Sequence, residues 1–155
     1  MMRFAGAAAA CALSACVVSH VGHDESAEGR ALRLAGHHSQ LAFAYLAQDR
    51  VEVARREADS ALRWYPAHVD ALHARAMVEV MRERMPSALR YFALAMKALN
   101  DATPGQVPEH EQAAVLYENY ASALDAVGRR DEADALMALN GRSARRSAQE
   151  GRMMR

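Results

Sequence analysis

Alanines recur in this chain at a fixed interval of 34 residues. The first set is Ala42, Ala54 and Ala61, and the second set is Ala76, Ala88 and Ala95. Ala121 and Ala133 repeat the 12-residue spacing of the first two members, 45 residues after the second set begins. A period of roughly 20 to 50 residues is typical of repeat proteins, in which each unit buries its apolar face against the next unit. The sequence therefore predicts three stacked copies of one unit, with 11 additional residues before the third.

The apolar residues within each copy are spaced as on one face of an amphipathic helix. They predict six helices, over about residues 27–47, 51–64, 69–82, 86–99, 109–127 and 131–139. Pro66 ends the second helix, and Pro86 suits the first turn of the fourth, where its missing N–H is harmless. Gly128 joins the last two helices, and residues 100–108 form the inserted loop. Alanine is abundant and aromatic residues make up only 6% of the chain, so the composition favours closely packed helices over a β-sandwich. The predicted fold class is all-α.

Residues 1–15 have the layout of a secretory signal peptide. Arg3 gives a positively charged start, and residues 4–13 form a small and apolar run that is too short to span a bilayer. The run ends in Leu13-Ser14-Ala15-Cys16, which resembles the bacterial lipobox read by lipoprotein signal peptidase. The resemblance implies that Cys16 is diacylated at sulfur and becomes the first residue of the mature protein.

The residue after Cys16 predicts where in the cell envelope the protein is located. Val17 rather than aspartate follows the cysteine, and in the enterobacterial sorting rule this pattern implies the periplasmic face of the outer membrane. Several acyl chains hold a protein stably, because each buried methylene contributes about 0.8 kcal/mol. The alternative is ordinary signal-peptide cleavage and release as a soluble periplasmic protein. Residues 16–34 then comprise the lipidated cysteine, a flexible spacer and the start of the first helix, and we interpret His20 and His23 as solvated linker residues rather than a metal pair.

Residues 35–140 resemble the tetratricopeptide repeat, a 34-residue helix-turn-helix unit with small residues where its two helices touch. The resemblance implies a short right-handed superhelical array of three such units. In these arrays the first helix of each pair lines a concave face that binds partner proteins. Carried over position by position, this candidate groove contains Ser39, Phe43, Leu46, His73, Met77, Val80, Glu118, Asn119, Ser122 and Asp125.

Three of these positions, Phe43, Met77 and Val80, form an apolar stripe with two interpretations. In the first, the stripe faces solvent in the groove and receives a peptide or helix of a partner. In the second, the same side chains fill the core of a tightly wound array. The sequence leaves both open.

Residues 141–155 form a basic tail with five arginines against a single acid, Glu150. Three interpretations are open for this segment. It extends the last helix as a solvent-covered cap, it contacts anionic lipid or cell wall, or it is a frayed solvated end. The frayed end is the favoured interpretation, because chain termini that nothing ties down are generally poorly ordered.

A lipobox followed by a few such repeats resembles the outer-membrane lipoproteins of type IV pilus biogenesis, the PilF/PilW family. The third copy carries the resemblance, through Leu116-Tyr117-Glu118-Asn119-Tyr120-Ala121 and Gly128-Arg129-Arg130-Asp131-Glu132-Ala133. The resemblance implies a pilotin, which binds the secretin subunit and helps it assemble in the outer membrane. The alternatives are a TadD-like lipoprotein of the tight-adherence pilus, a general envelope scaffold, and an accessory lipoprotein to an envelope enzyme.

The sequence carries no motif that is typical of catalysis. It has no phosphate loop, His-Glu-x-x-His pair, nucleophile elbow or dinucleotide fingerprint. Its 19 basic and 19 acidic residues balance, so it lacks the charge excess of nucleic-acid-binding proteins. Both cysteines, Cys11 and Cys16, precede the repeats, which leaves none there for a disulfide or a cysteine zinc site. We therefore expect a non-enzymatic protein with a protein partner and a membrane anchor, and without cofactor, metal, small-molecule substrate or nucleic acid.

Overall fold

The computed structural model describes residues 26–103 and 110–153, and these residues form six α-helices. The helices are α1 (Ala27–Leu46), α2 (Val51–Trp64), α3 (Val69–Met81), α4 (Met85–Asp101), α5 (His110–Ala126) and α6 (Arg130–Met153). No strand occurs in these two ranges, so the prediction of an all-α fold is confirmed. The first five helices begin and end within two residues of their predicted bounds.

The sixth helix is longer than the sequence predicted. Its expected end near residue 139 was wrong, because α6 continues to Met153. Gly141 does not interrupt it, and Nε of Arg145 donates to the Gly141 carbonyl at 3.1 Å. The residues beyond the predicted end include alanine, arginine and glutamine, which are good helix formers. Most of the basic tail is therefore helical, so residues 141–153 extend the last helix and the favoured interpretation of a frayed end was wrong for them.

The three helix pairs share one turn geometry. The first helix of each pair (α1, α3 or α5) is followed by a residue with a positive φ. These residues are Asp49 (59°), Glu83 (58°) and Gly128 (78°). The backbone N–H of the residue after each of them donates to the carbonyl five residues earlier. The pairs are Arg50 to Tyr45 at 2.9 Å, Arg84 to Glu79 at 2.8 Å and Arg129 to Leu124 at 2.9 Å. This is the Schellman arrangement, which satisfies carbonyls that the helix end leaves free. The sequence period thus coincides with a repeated backbone turn.

The helices pack in consecutive pairs, with α1 on α2, α3 on α4 and α5 on α6. The first helices also contact one another, because α3 touches both α1 and α5. Within the described ranges the backbones of the second helices, α2, α4 and α6, do not approach one another closely. The first helices therefore share one side of the molecule, and the second helices are splayed along the other.

The repeated alanines lie where the helices touch. All eight are buried, and the six of the first two sets have no exposed surface. Two small clusters built only of fully buried alanines join α1, α2 and α3: Ala35 with Ala61 and Ala71, and Ala42 with Ala58 and Ala74. Because alanine carries no bulk beyond Cβ, the helix backbones can approach closely at these points. This explains the abundance of alanine in the sequence.

A larger apolar cluster joins the second and third helix pairs. Its centre is Phe92 on α4, which has no exposed surface. The Phe92 ring stacks on Tyr120 of α5, with ring centres 5.3 Å apart, and lies 6.0 Å from His73 of α3. Leu116 of α5 is buried in the same cluster. These contacts hold α5 against α3 and α4.

A buried ion-pair network ties α2, α3 and α4 together on the side of the second helices. Glu79 is only 2% exposed and accepts a hydrogen bond from Arg75, which also donates to Asp59 of α2 at 2.8 Å. The Arg75 guanidinium lies over the Tyr91 ring of α4, 4.8 Å from its centre. Because each buried charge has an opposite partner, the network avoids the penalty of an unpaired buried ion.

Candidate functional site

A groove of about 450 Å³ lies on the side of the first helices. Its lining residues are Gly36, Ser39, Gln40, Phe43, His68, Asp70, His73, Gln112 and Val115. They belong to α1, α3 and α5, with His68 as the residue that caps the start of α3. None of the described lining residues comes from a second helix. The groove is thus a product of the contacts that the three first helices make with each other.

The floor of the groove is built around His73. Its side chain is 4% exposed and meets the Phe43 ring edge-on, with ring centres 5.1 Å apart. The side-chain amide of Asn119 on α5 donates to Nε2 of His73 at 3.0 Å. Burial lowers the pKa of His73 to about 4, because the charged imidazole loses its water. At neutral pH this histidine is an uncharged acceptor that links α3 to α5.

A second histidine closes the end of the groove at the start of α3. Nδ1 of His68 accepts the N–H of Ala71 at 3.3 Å, so the imidazole replaces the usual hydroxyl or carboxylate as the helix cap. Oγ of Ser39 lies 3.3 Å from the same nitrogen and donates to the Ala35 carbonyl at 2.7 Å. Burial lowers the pKa of His68 as well. Both histidines of the groove are therefore held in the neutral form.

The only described lining residue with a formal charge at neutral pH is Asp70. It lies in the first turn of α3 and is half-buried. Burial raises the pKa of its carboxyl, because the carboxylate is partly removed from water. The remaining lining side chains are apolar, hydroxyl or amide groups. The groove therefore combines an apolar wall with uncharged hydrogen-bonding groups and one carboxylate.

Of the ten residues predicted for the groove, three line it, one supports it and six lie elsewhere. Ser39, Phe43 and His73 line it, and Asn119 supports it from α5 through His73.

The other six predicted residues do not line this groove. Met77 and Val80 are half-buried and pack against the large apolar cluster, and Leu46 is half-buried at the end of α1. Glu118, Ser122 and Asp125 are exposed on α5, and Asp125 accepts from Arg130 at 2.8 Å. The apolar stripe thus divides: Phe43 borders the groove, and Met77 and Val80 contact the core.

The lining residues that sequence reasoning missed are Gly36, Gln40, His68, Asp70, Gln112 and Val115. Most lie one helical turn before a predicted residue or beside it. Gly36 precedes Ser39 by three residues, and Asp70 precedes His73 by three. Residues three and four apart share a helix face, so this spacing was the available signal. The groove opens about one turn nearer the starts of α1 and α3 than predicted.

The predicted lipid-attachment residue Cys16 lies outside the described residues. So do the signal peptide over residues 1–15 and the spacer histidines His20 and His23. Across the described ranges, no group of three or more metal-binding side chains occurs. No helix in those ranges is both long enough and apolar enough to cross a membrane.

No family model matches this chain, and no curated protein is significantly similar to it. Its function must therefore be inferred from its groove, its turns and its sequence motifs.

Proposed function

We propose that this protein is a tetratricopeptide-like scaffold that binds a segment of a partner protein in the groove and is held at the membrane by a lipidated Cys16. One observation carries the proposal: every described lining residue belongs to a first helix of a pair or to the cap that precedes it. In tetratricopeptide arrays the first helices line the concave face of a right-handed superhelix, which is where partners bind.

Two further features support the repeat assignment. Positive-φ turns recur at Asp49, Glu83 and Gly128, at the 34- and 45-residue intervals of the alanine pattern. The alanines of that pattern are buried at helix contacts, as the repeat requires. A repeat array consists of units of this kind, in which each helix pair has the same turn and the same small residues at its contacts.

The chemistry of the groove suits a polypeptide. Two groove-lining residues are large and apolar: Val115, which is 43% exposed, and Phe43, which is half-buried. Gln40 and Gln112 are exposed amides, which can both donate to and accept from a peptide backbone. Exposed apolar surface rimmed by polar groups is typical of protein-binding sites.

The proposed client is the secretin subunit, which makes the protein a pilotin-like factor in type IV pilus biogenesis. The sequence resemblance of the third repeat is the support. Leu116, Ala121 and Ala133 of that segment are buried, and Gly128 adopts a positive φ, so these residues have structural roles. Another client, in a tight-adherence pilus or beside an envelope enzyme, would use the same fold.

The groove is tested by placing a charge in its apolar wall. Val115→Glu should reduce recovery of the partner at least about tenfold in affinity purification from detergent-solubilised membranes, because a buried unpaired carboxylate opposes binding. Leu139→Glu on α6 is the matched control, since Leu139 is 46% exposed and Val115 43%. Its partner recovery should equal that of wild type. Equal loss with both variants, or with neither, would contradict the groove assignment.

The membrane tether is tested by Cys16→Ser. We expect the protein to move from the membrane fraction to the soluble fraction, because a serine cannot carry the thioether-linked lipid that is proposed to hold the protein at the membrane. Cell fractionation with immunoblotting measures the change, and globomycin treatment of wild type should cause the unprocessed form to accumulate. Unchanged distribution of the variant would sink the lipoprotein proposal and leave the groove untouched.

A further inference from the structure

Asp70, the carboxylate in the groove, differs in its hydrogen bonding from the other carboxylates that are partly or fully buried. Within the described ranges, four acidic side chains are buried or half-buried: Glu57, Asp59, Asp70 and Glu79. Three of them accept a hydrogen bond from a basic side chain. Only Asp70 makes no hydrogen bond or ion pair with another described residue.

The partners of the other three show how this fold compensates a carboxylate that loses water. Glu57 accepts from His38 at 2.8 Å, Asp59 accepts from Arg75 at 2.8 Å, and Glu79 also accepts from Arg75. A carboxylate removed from water without such a partner is destabilised, and its proton affinity rises. The position of Asp70 in the first turn of α3 gives it a favourable helix dipole, but the partial charge of the dipole is not the full charge of a basic side chain.

The described residues around Asp70 offer no cation. The two basic side chains that line the same groove are His68 and His73, and burial keeps both neutral. The rest of the described lining is apolar or uncharged. The described lining therefore carries a net negative charge at neutral pH, on Asp70 in the first turn of α3.

We propose that the natural occupant of the groove is a protein segment that presents a lysine or arginine to Asp70 and an apolar side chain to Phe43 and Val115. This inference rests on the proposed protein-binding function and specifies the chemistry of the partner. The cation supplies the basic hydrogen-bond donor that the other three buried or half-buried carboxylates of the described fold already have. An arginine can in addition make a bidentate pair with the carboxylate.

The size of the groove sets the length of the segment. Its lining on α1 extends from Gly36 to Phe43, which spans roughly 10 Å at the helical rise of about 1.5 Å per residue. An extended segment rises about 3.3 Å per residue, so roughly three residues occupy the groove. The recognised unit is therefore short: one basic residue and one apolar residue at adjacent or next-but-one positions.

Selection from a random peptide phage library tests the chemistry without a known client. Wild-type protein should enrich peptides that pair a lysine or arginine with an apolar residue. Asp70→Asn, which keeps the size and removes the charge, should lose the basic preference. The matched control is Asp131→Asn, because Asp131 also lies in the first turn of a helix, α6, and is exposed outside the groove. Its selected peptides should be as basic as those of wild type.

The enriched peptide then gives a quantitative test by fluorescence anisotropy. Replacing its basic residue by norleucine should weaken binding to wild type at least about tenfold and leave binding to Asp70→Asn nearly unchanged, because the two changes remove the same interaction. A basic preference that survives Asp70→Asn, or peptides without one, would overturn this inference and leave the groove proposal standing. Failure of wild type to enrich any peptide would instead contradict the proposed function itself.

Discussion

Phe92→Ala should lower the free energy of unfolding by about 3 to 5 kcal/mol, the range for removing a buried aromatic ring. Phe92 has no exposed surface, stacks on Tyr120 of α5 and lies near His73 of α3. Its removal leaves a cavity where the second and third helix pairs meet. Since domains of this size are stable by about 5 to 15 kcal/mol, the loss is a large part of the total.

Chemical denaturation followed by far-ultraviolet circular dichroism measures this change. Leu94→Ala is the control on the same helix, because Leu94 is 48% exposed. It should change stability by no more than about 0.5 kcal/mol, the range typical of surface sites. A cost below about 1 kcal/mol for Phe92→Ala would mean that the two pairs do not share a packed core.

The acid stability of the fold should depend strongly on His73. Burial lowers the pKa of folded His73 to about 4 from its ordinary value of 6.5. Between these pH values the unfolded chain binds a proton that the folded chain excludes, so stability falls as the pH falls through this window. The contribution is fully present above pH 6.5 and amounts to about 3 kcal/mol, at about 1.4 kcal/mol per pKa unit.

Denaturation at a series of pH values tests this expectation. His73→Gln removes the titrating ring, so its stability should decline much less than that of wild type between pH 6.5 and pH 4. The lowered pKa of His68 also makes stability fall as the pH falls, whereas the raised pKa of Asp70 makes stability rise. His68 and Asp70 are present in both proteins, so their effects cancel in this comparison. Nuclear magnetic resonance should find the His73 ring neutral at pH 6. A ring that is half-protonated there would contradict the account.

Much of the fold could be predicted from the sequence because it is encoded locally. The alanine period located the helix contacts, and Pro66 and Gly128 marked two of the chain reversals. The end of α6 could not be predicted, because no proline follows residue 139 and Gly141 does not interrupt the helix. The positive φ of Asp49 and Glu83 also lacked a sequence signal, since that conformation is ordinarily signalled by glycine.

The groove was predicted less completely, for reasons of tertiary structure. Helical spacing placed Ser39, Phe43 and His73 on the correct face, but it could not determine how far each first helix is shifted along its neighbour. That shift decides that Val115 borders the groove whereas Met77 contacts the core. That Asp70 has no partner among the described residues is likewise visible only when it is compared with the other three buried or half-buried carboxylates.

Photocrosslinking inside the cell tests the central claim most directly, which is that the groove of the first helices receives a protein. A benzophenone amino acid would replace Gln40, which lines the groove, or the adjacent Leu41, which is 46% exposed and does not line it. Neighbouring helix residues point about 100° apart, so the pair differs mainly in the face presented. We predict a discrete protein adduct from position 40 and none from position 41. Equal adducts from both positions, or an adduct from position 41 alone, would contradict the account.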